Sequence, residues 1–227
     1  MIELRGASVV VHTTGGDVTV LRPTTVAIPE GLVAIIGANG SGKSTFARLL
    51  NGLVEPTSGS VLIDGLDSRS DGKAVRRNVG FVFTDPNAQL VMPTVVEDVA
   101  LSLRREHRRT GDRHAAALDV LARFGLAEFA TRSVHTLSGG QKQLLAIASV
   151  LATDPAVLVA DEPTTLLDLR NSRTIGDLLC SLPQQVLIVT HDLDLAARAE
   201  RVIVIDDGAI AFDGAPAAAI ASYRALP

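Results

Sequence analysis

At 227 residues, 47% of them hydrophobic, the chain can bury the core of one large domain or of two tightly joined lobes, and no stretch has a disordered composition. A net charge of −4 excludes a global field that would draw it to nucleic acid or anionic lipid, so no nucleic-acid partner is expected. The one cysteine, Cys180, excludes an internal disulfide, and its setting in DLLCSL predicts a buried, unreactive thiol.

The start, MIELRGASVV, has no basic segment followed by an apolar stretch, so no secretory signal is expected. No uncharged apolar run approaches the roughly 18 residues of a membrane span. Residues 1–30 read as short strands broken by turns, with TTGGD at 13–17 suited to a hairpin. GLVAIIG (31–37) is an apolar run entering a glycine-rich loop and then a helix, the mark of a buried α/β strand. Further strands are predicted at 60–65, 79–83, 156–162 and 185–191, and a closing hairpin over 201–214 about Asp207-Gly208. Between them, TVVEDVALSLRR, HAAALDVLARF and QKQLLAIASVLA place apolar residues at helical spacing. The Arg-rich run RREHRR (104–109) reads as a solvated helix end. The expected organisation is an α/β core over 1–83 and 151–227, including an N-terminal β subdomain, interrupted by a helical subdomain over 84–150.

GANGSGKS, Gly37 to Ser44, fits G-x-x-x-x-G-K-[ST] directly after a predicted strand. Its amides and the helix start that follows can surround phosphates, with Gly37, Asn39, Gly40, Ser41, Gly42 and Thr45 as candidate contacts. Lys43 can reach the β and γ groups and Ser44 can ligate Mg2+. VLVADEP then ends a strand in Asp161, which can hold the metal through water, and Glu162, which can polarise an attacking water. Adjacent carboxylates at a strand end are common surface features; with a phosphate loop upstream they fall where ligands bind in open α/β sheets. His191, at the next strand end, could donate to the γ-phosphate or orient Glu162.

LSGGQ, residues 137–141, poses a separate problem. Ser138 and Gln141 form a capping box. Gly139 and Gly140 then occupy the first helical turn, where each glycine costs roughly 1 kcal/mol against alanine. Exposed amides at the positive end of a helix suit a phosphate. The chain has one complete phosphate loop, and the signature lies far downstream of it. The economical arrangement is a head-to-tail pair in which each chain's LSGGQ covers the nucleotide held by the other.

Phosphate loop, LSGGQ, VLVADEP, LLD and VTHD, in this order and spacing along the whole chain, resemble the ATP-binding-cassette family of ATPases. The resemblance implies a P-loop NTPase (ABC ATPase) core with an N-terminal antiparallel β subdomain and an inserted α-helical subdomain. It also implies ATP and Mg2+ as cofactors and a D-loop at Asp168 spanning a dimer interface. FVFTDPNAQLVMPTVVEDVA is most similar to the ATPases of energy-coupling-factor (ECF) importers, and ARLLNGLVEPTSGSVLIDG, AVRRNVGFVF and DEPTTLLDLRN resemble their biotin-import branch. That likeness implies three partners: a second ATPase subunit, identical or related, a transmembrane coupling subunit and a substrate-binding membrane subunit. It implies a place on the cytoplasmic face of the cell membrane. A cobalt- or nickel-type importer and a soluble, non-transport cassette ATPase are the alternatives. Two positions depart from the family pattern. Thr84 stands where the family has the Q-loop Gln and remains a candidate metal contact, whereas Gln89 matches the second Gln of the pattern. Val11 or His12 stands where an aromatic residue usually stacks on adenine.

Overall fold

Where the sequence suggests several short strands over residues 1–30, the computed structural model, which describes residues 1–226, has two long ones, β1 (Ile2–Thr13) and β2 (Gly16–Ile28). They stay continuous because register shifts between Leu4 and Ala7 and between Val9 and Val10 absorb the twist without ending the ladder. Thr13 Oγ1 donates to the Gly16 carbonyl at 2.7 Å and closes the turn at TTGGD. β3 (Leu32–Ile36) leads through the glycine-rich loop into α1 (Lys43–Leu50). β4 (Ser58–Ile63) and β5 (Leu66–Asp67) join the first two strands in an antiparallel sheet of order β2-β1-β4-β5. α2 (Gly72–Asn78) then delivers the chain to β6 (Val79–Val82).

Three helices follow: α3 (Val95–Ser102), α4 (Thr110–Arg123) and α5 (Gly139–Leu151). Thr94 and Glu97 form a capping box on α3, with Glu97 Oε2 accepting from the Thr94 amide at 3.1 Å. The apolar stripes of the three helices enclose one core that includes Val95, Val99, Leu121, Leu126 and Leu145. α3 is shorter than its sequence suggests, and RREHRR is not a helix end but the turn and loop between α3 and α4. A continued helix would stack like charges at Arg104 with Arg108 and at Arg105 with Arg109. The arginines of this run are exposed, as expected.

β7 (Val157–Asp161), α6 (Leu169–Ser181), β8 (Gln185–Val189), α7 (Leu193–Ala196), β9 (Arg201–Asp206), β10 (Ala209–Gly214) and α8 (Pro216–Arg224) complete the chain. Six strands form a second sheet of order β10-β9-β3-β8-β7-β6, parallel from β9 through β3 and β8 to β7. β7 is buried along its whole length, which is why it reads as an unbroken apolar run. Asp207 and Gly208 both take positive φ, 44° and 73°, the conformation of a type I′ hairpin turn. Cys180 is half-buried rather than enclosed. Leu179, one position earlier, takes the fully buried direction on α6, and the next residue points about 100° away.

The described residues divide into two compact units. One contains Met1–Phe81, Ala156–Glu162 and the chain from Leu179 onward, and the other contains Val82–Pro155 and Pro163–Leu178. No helix among the described residues is long and apolar enough to cross a membrane.

Candidate nucleotide site

The phosphate loop lies in the first unit and its backbone explains its glycines. Gly37 has φ of 156°, and a Cβ there would lie 2.0 Å from the Ile205 carbonyl oxygen; at Gly42, φ 102°, it would lie 2.7 Å from that of Val20. Asn39 and Gly40 are exposed at the tip, and Thr45 is half-buried in the first turn of α1. Ser41 Oγ is buried without a hydrogen-bond partner among the described residues. Lys43 is 6% exposed and donates from Nζ to the Ala38 carbonyl at 2.8 Å. Burial pushes its pKa down, against the opposing pull of Glu162 and Asp161.

Ser44 Oγ donates to Asp161 Oδ1 at 2.9 Å, and Arg48 lies 3.8 Å from Asp161 Oδ2. Asp161 is 1% exposed. Burial raises its pKa, while the Ser44 hydrogen bond and the Arg48 charge lower it. Glu162 adopts φ of 53°, a left-handed conformation rare outside glycine. Its amide donates to the Val189 carbonyl at 2.9 Å, and its Oε2 lies 2.7 Å from His191 Nδ1. The loop after β3, the carboxylates ending β7 and the histidine after β8 therefore stand at the carboxyl ends of neighbouring parallel strands. Orphaned Ser41, the side-chain-free cradle at Gly37 and Gly42, and the hydroxyl–carboxylate pair Ser44–Asp161 suit a phosphate group with its divalent cation.

The remaining predicted residues lie in the second unit. Ser138 and Gln141 make the expected capping box: the Ser138 amide donates to Gln141 Oε1 at 2.9 Å and the Gln141 amide to Ser138 Oγ at 3.3 Å. The two signature glycines differ. A Cβ on Gly139 would meet nothing nearer than 3.9 Å, whereas on Gly140 it would lie 2.4 Å from Asn171 Cγ and Oδ1. One glycine thus has a reason within the chain. Asp168 caps the start of α6, accepting from the Asn171 amide at 2.8 Å. Thr84 is half-buried in the bend after β6. Gln89 accepts from the Phe83 amide at 3.2 Å and donates to the Ala146 carbonyl at 3.1 Å, bracing that bend on α5.

Asp98 and Asn171 are absent from the sequence-derived site. Asp98 is 5% exposed, and its Oδ2 accepts from the amides of Val91 and Met92 at 2.9 and 3.0 Å. Val91, so held, is 66% exposed, whereas Leu90, Val95 and Val96 are buried. An acid on the apolar face shared by Val95 and Val99 was the available signal for Asp98.

A parallel sheet with a phosphate loop at its carboxyl edge defines a P-loop nucleoside triphosphatase. The ABC transporter family profile matches residues 21–165, and the chain belongs to that family as an ATPase. It is 45% identical over 206 residues to the biotin transport ATP-binding protein BioM of Rhizobium etli, covering 91% of this chain and 92% of that one. It is 41% identical over 203 residues to the energy-coupling factor transporter ATP-binding protein EcfA1 of Latilactobacillus sakei, covering 87% and 72%. The dimeric post-hydrolysis structure of the ATP-binding cassette MJ0796, bound to ADP and Pi, superposes with a TM-score of 0.85 at 33% identity, covering 95% and 99%.

Proposed function

We propose that this chain is the ATP-hydrolysing motor subunit of an ECF-type importer of a vitamin or similar micronutrient, with biotin as the cargo. The observation that carries the ATP-hydrolysing part of the reading is the Glu162–His191 pair beside Ser44–Asp161 and the phosphate loop, on three neighbouring strands, and the importer part is supported by the Latilactobacillus sakei relative. Lys43 holds the β- and γ-phosphates, and the loop amides with Ser41 surround them. Ser44 and Asp161 would hold Mg2+, which when bound neutralises charge on the phosphates. Glu162 accepts a proton from the attacking water, and His191 fixes the orientation of its carboxylate.

Two chains work as a nucleotide sandwich, with Ser138, Gly139, Gly140 and Gln141 of each on the nucleotide of the other. Leu166 and Leu169, 62% and 68% exposed on either side of Asp168, support a covered surface there. The helical segment 84–150 pushes on a transmembrane coupling subunit at the cytoplasmic face of the membrane, through Val91 and Met92, while a separate membrane subunit binds the cargo. The biotin reading is supported by the Rhizobium etli relative. Copurification from membranes followed by mass spectrometry tests it: the expected companions are two membrane proteins, and ribosomes or DNA in their place would overturn it. Loss of biotin uptake on deletion of the subunit tests the cargo.

A further inference from the structure

We infer that Asn171 is a positioning residue, which holds Asp168 against the first turn of the LSGGQ helix so that both face a partner's nucleotide as one rigid piece. The inference rests on the nucleotide sandwich proposed above and draws only on contacts inside the second unit. Asn171 lies in the first turn of α6. Its amide donates to Asp168 Oδ1 at 2.8 Å and its Nδ2 to Asp168 Oδ2 at 2.9 Å, so one residue holds both carboxylate oxygens. Such a doubly held carboxylate has one orientation instead of a spread of rotamers.

The same side chain lies directly on Gly140, where an added Cβ would be 2.4 Å from Asn171 Cγ and Oδ1 and 3.0 Å from its Cβ. No side chain fits at position 140 while Asn171 keeps this place. The backbone around it is also fixed. Ser172 donates from its amide to the Asp168 carbonyl at 2.8 Å and from Oγ to the Thr164 carbonyl at 3.3 Å. Asparagine suits the position because it is short and its amide donates to a carboxylate. Aspartate would keep the shape and set two carboxylates against each other.

Turnover, ADP affinity and ATP-dependent dimerisation of the purified chain test the inference. Asn171→Asp should slow turnover at saturating ATP about tenfold or more, as expected for a lost charge-assisted hydrogen bond. ADP affinity, set by the phosphate loop in the first unit, should not change. Asp168→Ala combined with Asn171→Asp should be no slower than Asp168→Ala alone, because the effect passes through Asp168. Gly140→Ala should lose ATP-dependent dimerisation, and adding Asn171→Gly should restore part of the dimerisation by vacating the contact while turnover stays slow, because Asp168 has lost its Nδ2 donor. Wild-type turnover in Asn171→Asp, a multiplied loss in the Asp168 pair, or no rescue at Gly140 would each overturn the inference. If Asn171→Asp does not fold, the Gly140→Ala and Asn171→Gly pair decides it. Failure of the sandwich itself would show separately, as a Glu162→Gln chain that never dimerises with ATP.

Discussion

Glutamine in place of Glu162 keeps the shape of the side chain and removes a proton acceptor together with a charge that acts on Lys43 and Asp161. The residue sits at φ 53°, a conformation that costs a side-chain-bearing residue about 1–2 kcal/mol, and glutamine inherits that strain unchanged. The amide bond to Val189 is untouched, and the new carboxamide still reaches His191, now 2.7 Å from Oε2. Stability should therefore move by less than about 0.5 kcal/mol, a shift of roughly 1–2 °C in melting temperature for a chain of this size. What disappears is a carboxylate able to take a proton from water. Hydrolysis should slow about 10²- to 10⁴-fold, or roughly 3–5 kcal/mol in barrier, while ATP still binds and a dimer accumulates. Single-turnover phosphate release and size-exclusion chromatography with ATP and magnesium measure both. Glu162→Gly is the control: it relieves the strained φ, so it should melt no lower than the wild type and be equally inactive. Turnover in Glu162→Gln within about tenfold of wild type, or a chain that stays monomeric at high concentration, would refute the reasoning.

Lys43→Ala should lower ATP affinity by about 10²-fold or more, since its ammonium acts in a site poor in water; calorimetry reads this, and unchanged hydrolysis would remove the assignment. Asp161→Asn should raise the melting temperature of the nucleotide-free chain at neutral pH. Burial holds the Asp161 pKa above its ordinary value, so the associated stability is full below the unfolded value and is lost as pH rises through the folded one. The advantage of asparagine should shrink as pH falls toward about 4, and an advantage that grows on acidification would contradict this. Val91→Asp should leave fold and isolated ATPase intact, because the side chain is 66% exposed, yet abolish transport; an unfolded variant would end the docking proposal. Thr84→Gln should leave transport intact or raise it in the same uptake assay.

The phosphate loop was legible because its glycines, lysine and serine must be contiguous to wrap a phosphate. The parallel strands were legible because burial on both faces leaves an apolar run. β1 and β2 were misjudged in length, since register shifts such as that between Val9 and Val10 carry no compositional mark. The early stop of α3 at Ser102 depends on competition between propensity and like-charge stacking, which periodicity does not weigh. The Asn171–Gly140 approach joins side chain and backbone across separate helices, and no local pattern announces it. The candidate site residues came from motifs; Asn171, which holds Asp168, came only from tertiary contact, and the one mark of Asp98 was an acid on an apolar helix face.

Asp98 carries a consequence for any partner that docks at Val91. By accepting from the Val91 and Met92 amides, it fixes the backbone there, and the Val91 side chain stands 66% exposed. On the docking proposed above, a partner that covers Val91 would not have to order its backbone first, which removes one part of the entropic cost of association. On that same docking, chains made in excess of such a partner would keep Val91 in water.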